Sequence, residues 1–209
     1  MTANPVSDLL DRVRKLLAKA EDEGCTPAEA EALTAKAAEL MARYGIDRAL
    51  HGPGLLAVNE AITRYRDGQG LGSRSSTAWL ALVLEDLPVR DDAWARMDPE
   101  YNAAHLRLWA DVTRLAQPGY VAAPAALLAF TAWQSGSGAL ANIALDRALA
   151  DQPDYSMARL LRQAVDCGAP PSAARLPMTP EEVAASYDAM NTDGEDSDHA
   201  DEQQAGLIS

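Results

Sequence analysis

Gly136-Ser137-Gly138, followed by Ala141, has the residue types of a phosphate-binding turn at the head of a helix. Such turns work because glycine lets backbone N–H groups approach a phosphate and the helix N-terminus favours negative charge. They also require a strand immediately before the glycines. The preceding stretch, PAALLAFTAWQ, is rich in alanine and has Thr131 as its one β-branched residue. It reads as a helix, so the glycines read as a turn between helices. Gly68 to Ser73 (GQGLGS) lacks a preceding strand in the same way.

Other chemistry-bearing residues are scattered. Asp91-Asp92 and Glu181-Glu182 are carboxylate pairs, but adjacent residues on a helix point in different directions, and acids in a first turn complement the helix dipole. His51, His105 and His199 are far apart, Cys25 and Cys167 form no metal-like pair, and Ser135 and Ser137 have no histidine near them in sequence. These residues support no catalytic, cofactor-binding or metal-ligating assignment, and no cofactor is expected. The basic set Arg12, Arg14, Lys15, Lys19, Lys36, Arg43 and Arg48 could form a positive face for phosphates. Within it, Arg12, Lys15, Lys19, Lys36 and Arg43 are the candidate nucleic-acid contacts. The competing reading is a solvated face, with Asp8–Arg12, Asp11–Lys15 and Lys19–Glu23 pairs at helical spacing.

The elements that must position these residues are all helical. Alanine supplies much of the apolar content and β-branched residues are sparse, a balance that favours helix. No period-two stretch predicts a strand. Ser7 caps a first helix whose apolar residues run from Leu9 to Ala20, and Gly24 ends it. Thr26-Pro27-Ala28-Glu29 opens a second helix that Gly45 closes, so residues 1–50 predict an antiparallel hairpin. HGPG (His51 to Gly54) reads as a joint. Beyond it the spacing predicts helices from Leu55 to Arg66, from a Ser75 or Ser76 cap to Pro88, through Trp94, and from about Glu100 to Ala116. Three more are expected from Pro124 to Gln134, Ala139 to Ala150 and Ser156 to Asp166. Thr179-Pro180-Glu181-Glu182 caps a last one to about Ala189. Trp79, Trp94, Trp109 and Trp133 each lie in an apolar helix pattern, as core or groove anchors.

The net charge of −13 is uneven, because nine acids and no base lie between Leu176 and Ser209. Without them the body carries only −4. Residues 191–209 are too polar to join a core and are expected to form a disordered acidic tail. No run of eighteen apolar residues is present, so no membrane partner is expected. The two cysteines are too few for a disulfide framework, which favours the cytoplasm.

From Ala141 the letters follow a repeat. Ala141, Leu145, Ala148 and Pro153 have the small, large, small, proline offsets of the second helix of a tetratricopeptide unit, and Leu128 fits the first. Ala125, Ala129 and Ala132 stand where that repeat has larger residues or glycine. One unit is legible, followed by half of another. KLLAKAEDEGCTPAEAEALTAKAAELMARYGID (Lys15 to Asp47) resembles a short helical hairpin module of unknown function common in actinobacteria and their phages. AWLALVLEDLPVRDDAWARM, the run from Leu108 to Leu161, and PPSAARLPMTPEEVAASY resemble the helical half of another uncharacterised actinobacterial family. Longer members of that family carry an N-terminal α/β region whose place the hairpin takes, so activity of that region is not expected here. Neither resemblance brings catalytic residues.

The sequence therefore predicts an all-α protein in three parts: a hairpin module (1–50), a tetratricopeptide-like helical domain (51–190) and the acidic tail (191–209). The expected role is a protein-interaction scaffold or adaptor with a contact surface beside the helix of Trp133. A nucleic-acid-associated factor using the hairpin is the alternative.

Overall fold

The computed structural model describes residues 47–174 and 178–187, with residue 189 and isolated positions among the first 46 residues. Every element among the described residues is a helix, and none of them lies in a strand. In chain order these are α1 (Asp47–Arg66), α2 (Arg74–Val83), α3 (Leu87–Ala95), a 3-10 turn (Pro99–Tyr101), α4 (Asn102–Leu115), α5 (Ala122–Gln134), α6 (Gly138–Asp151), α7 (Ser156–Asp166) and a second 3-10 turn (Pro171–Ala174). A final helix, α8, spans residues 180–187. The acidic tail, 191–209, lies outside the described residues, as do Arg12 and Arg43.

The centre of the molecule is α5. Its residues 122 to 133 are buried all round, from Ala122 to Trp133. A helix that is apolar on every face must be surrounded, and α5 packs against α4, α6 and α7. Alanines at 122, 123, 125, 126, 129 and 132 keep its surface low, so neighbouring backbones can come close. Ala141, Leu145 and Ala148 of α6 are wholly buried. On the other side α4 links α5 to α1 and α2, while α1 also packs on α3.

A buried helix still has to satisfy its first N–H groups. Val121, at the N-cap of α5, makes no side-chain cap bond. Asp151 replaces it from the far end of α6. Its Oδ1 accepts from the Gly119 N–H at 2.6 Å, and its Oδ2 accepts from the N–H groups of Val121 at 2.9 Å and Ala122 at 3.1 Å. The Gln152 amide donates to the Gly119 carbonyl beside it at 3.0 Å. A carboxylate at the C-terminus of its own helix is unfavourable, but at the N-terminus of its neighbour it is stabilising. The contact also shows that α5 and α6 run antiparallel.

The glycine turn between them is a helix stop. Gly136 has φ +76°; its N–H donates to the Trp133 carbonyl at 3.0 Å, and the Ser137 N–H donates to Ala132 at 2.8 Å. That 5→2 and 6→1 pair is the Schellman arrangement, which needs a residue tolerant of the left-handed region. Gly68 and Gly168 end α1 and α7 by the same pair of bonds.

Three local expectations are corrected. His51 to Gly54 is not a joint, because α1 runs through it with Pro53 inside the helix. A Cβ on Gly54 would meet Val89 Cγ2 at 2.8 Å and Val83 Cβ at 3.2 Å, so the glycine lets α1 close onto the α2–α3 corner. Tertiary packing there outweighs the weak helix propensity of glycine and the missing N–H of proline. The cap of α2 is Ser73, whose side chain accepts from the Ser76 N–H, rather than Ser75 or Ser76. Pro88 opens α3 instead of closing α2, a first-turn position where its missing N–H costs nothing.

Replacing Asp151 with alanine leaves three N–H groups at the head of α5 without their acceptor. We expect a loss of about 2–4 kcal/mol in urea denaturation. Asp151→Asn, which keeps an acceptor without the charge, should lose less than half of that. A loss below about 0.5 kcal/mol for the alanine variant would show that the remote cap contributes little.

Candidate functional site

Among the described residues, two cavities each have a half-buried tryptophan in their wall. The first, of about 430 Å³, is bounded by Trp94 and Ala95 of α3, Met97, Pro99, Asn102 of α4, Phe130 and Gln134 of α5, and Met178 to Pro180 at the entry to α8. Trp94 meets Phe130 edge-on, with ring centroids 5.4 Å apart and planes at 73°. The Thr131 hydroxyl donates to the Met97 thioether at 3.4 Å, and Gln134 Nε2 donates to the Pro171 carbonyl at 2.8 Å. Aromatic rings and two methionines make an adaptable apolar wall, with Asn102 and Gln134 as its polar groups.

The second cavity, of about 390 Å³, lies between α1 and α2. Pro53, Leu56, Ala57, Glu60, Ala61 and Arg64 form one stripe of α1 at helical spacing, facing Leu71, Ser76, Trp79 and Leu80. Leu56 there is 72% exposed.

Helix α8 begins in the wall of the first cavity, at Pro180. Thr179 and Glu182 cap it reciprocally: Thr179 N–H donates to Glu182 Oε2 at 2.8 Å, and Glu182 N–H donates to Thr179 Oγ1 at 3.3 Å. Val183 is buried, 3% exposed. One turn on, the Tyr187 hydroxyl donates to Asp91 Oδ2 at 2.6 Å. Arg90 braces the other oxygen of that carboxylate through Nε at 2.9 Å and Nη2 at 2.6 Å. Burial and the Asp91 carboxylate push the Tyr187 phenol up, so it remains a donor across the physiological range. The Arg90 side chain is itself only 9% exposed, with its Cζ 5.8 Å from the centre of the Tyr155 ring. Glu85, at the edge of this cluster, is pushed up to about 6 by desolvation, with Asp151 adding to the effect. Asp92 points elsewhere and pairs with Arg96 at 2.6 Å, so the two adjacent aspartates do not act as one pair.

The expected site residues are placed as follows. Trp133 is 8% exposed and supports the core beside the cavity while offering a partner little area. Phe130 and Gln134 of the same helix line the cavity instead. Lys15, Lys19 and Lys36 are exposed, whereas Val13 and Ala37 are wholly buried, as an amphipathic hairpin requires. Hydrogen bonds from the Thr26 N–H and hydroxyl hold the Glu29 carboxyl below its ordinary range, with Lys19 adding a smaller pull. Sequence reasoning missed the Arg90–Asp91–Tyr187 contact and the role of Asp151, because their partners lie 96 and about 30 positions away.

One histidine reports on the core next to the first cavity. His105 is 1% exposed, and its Nε2 accepts from the Asp98 N–H at 3.3 Å. Desolvation pushes it down to about 4, with Arg66 adding to the effect and Asp98 opposing it. The folded chain therefore gives up the His105 proton near pH 4, and the unfolded chain near 6.5. Between those values the unfolded chain binds the extra proton, so stability is lost as pH falls through that window. We expect a loss of up to about 3 kcal/mol from this group. Denaturation of His105→Gln across the same range should show a shallower fall, and an unchanged slope would contradict the assignment.

Among the described residues no helix is long and apolar enough to cross a membrane, and no group of three potential ligands is arranged to hold a metal ion. No curated protein and no solved structure matches the chain. Residues 4–172, which take in the helices through α7, match a single family description, and the chain belongs to that family, Domain of unknown function (DUF4192).

Proposed function

We infer that the chain is a protein-interaction module, a scaffold or adaptor whose contact surface is the cavity between α3, α4 and α5. The observation that carries this reading is the wall of Trp94, Met97, Phe130 and Met178, an aromatic and methionine surface reached from outside between helices. Such surfaces take apolar anchor residues of partner proteins, and aromatic and methionine side chains are enriched where proteins meet. The α5–α6 hairpin supports a tetratricopeptide-like architecture, since Ala141, Leu145 and Ala148 are buried and Pro153 follows α6. Cys25 and Cys167 are unpaired thiols, which suits a reducing, cytoplasmic setting. Exposure of Lys15, Lys19 and Lys36 favours a second reading, contact with nucleic acid through the hairpin. The Glu29 carboxylate, which Lys19 influences electrostatically, weakens that face.

Affinity capture from the native host with the full chain separates the two. The expected result is a reproducible set of proteins that is lost with Asn102→Arg, which crowds the mouth of the cavity without touching the core. An identical set captured by that variant, at unchanged thermal stability, would contradict the interaction surface. A set that disappears on nuclease treatment, falls steeply with salt and depends on Lys15 and Lys19 would instead select the nucleic-acid reading.

A further inference from the structure

Helix α8 lies beyond the family match, which ends at residue 172, yet its first residue, Pro180, stands with Met178 and Thr179 in the wall of the cavity that the family's helices form. Its described residues, 180–187 and 189, make a short helix of the kind that is marginal in water by itself, so its order depends on docking. Val183 is buried, Tyr187 reaches Asp91, and the Glu181 carboxyl is held below its ordinary range by hydrogen bonds within its own turn, with Arg96 just past α3 adding a minor pull. Val183 and Tyr187 are one turn apart on a single face. Pro180, one turn earlier on that face, reaches the cavity wall but leaves about 430 Å³ between the helix entry and Trp94, Met97 and Phe130. The groove is thus covered by an imperfect fit.

The geometry points to α8 as a pseudo-ligand held in cis: the groove beneath it is the binding surface for a short amphipathic helix of a partner protein, which displaces α8. This rests on the interaction-module reading and names its partner. The occupant carries an aliphatic residue in the place of Val183 and a tyrosine four positions later, donating to the Asp91 carboxylate that Arg90 braces. Three positions before the aliphatic residue it carries a large apolar side chain, where Pro180 leaves the cavity. That third anchor buries surface the chain's own helix does not, and so offsets the advantage that tethering gives α8.

The test uses the full-length chain carrying Val183→Asp, which undocks α8, and a fluorescein-labelled peptide with the sequence of residues 177–190 as probe. We expect the peptide to bind this variant at least tenfold more tightly than the unaltered chain, whose own helix competes. A Pro180→Leu peptide should bind at least fivefold more tightly than the native-sequence peptide, and a Val183→Asp peptide should bind neither chain. Tyr187→Phe in the full chain should give intermediate binding. Equal affinity for the two chains, no binding to the undocked chain, or no gain from Pro180→Leu would overturn the proposal. A fall of more than about 10 °C in the thermal transition of Val183→Asp would also overturn it, by making α8 part of the core. A dimer of the unaltered chain that grows with concentration and is lost in Val183→Asp would give the groove to a second copy instead of a partner. The peptide assay reads the groove alone, so its failure is distinct from a failure of the capture experiment.

Discussion

Complete burial of α5 is the constraint from which the rest of the structure follows. A helix with no exposed face needs a neighbour on every side, and α4, α6 and α7 provide them. Its alanines set how closely those helices approach, and its glycine stop at Gly136 returns the chain directly alongside as α6. The same burial removes water from the α5 N-terminus, where Val121 offers no cap, and Asp151 takes over that role from α6. The turn that resembles a phosphate loop is therefore one end of a closed hairpin whose other end is tied by a carboxylate.

With the centre closed, adaptable chemistry moves to the edges. Trp109 is wholly buried and Trp133 nearly so, while Trp79 and Trp94 each line a cavity at the margin of the array. The polar interactions follow the same division. Those that tie α1 to α4 and the turn before it, Tyr65 to Asp111 at 2.7 Å and Arg66 stacked 3.6 Å over Tyr101, hold the scaffold together. Arg90, Asp91 and Tyr187 instead hold a short helix onto it. A carboxylate left 18% exposed and braced by Arg90 is a costly way to retain a short helix unless the site has a use for it.

Local signals were legible and long-range ones were not. The boundaries of α7, Ser156–Asp166, are those that its apolar spacing predicts. The capping boxes at Thr26–Glu29 and Thr179–Glu182 form as their letters indicate, since each is complete within four residues. Propensity failed at His51 to Gly54, where the missing Cβ of Gly54 serves contact with Val89 and Val83 rather than a bend. Of the candidate site, the helix of Trp133 was legible, but its cavity-facing residues are Phe130 and Gln134. Periodicity gives the burial of a helix, and cannot tell which flank of a fully apolar helix meets a gap. The Asp91–Tyr187 contact spans 96 positions and has no local signature at all.

Native-state amide hydrogen exchange tests the central claim most directly, because it ranks each segment by the free energy of opening it. If α5 is the pillar and α8 a separable cover, the amides of Leu127 to Thr131 should exchange only through global unfolding. The amides of residues 183–187 should exchange through a local opening that leaves α5 protected. Exchange of both segments at one common free energy would contradict the account, because α8 would then belong to the same cooperative core.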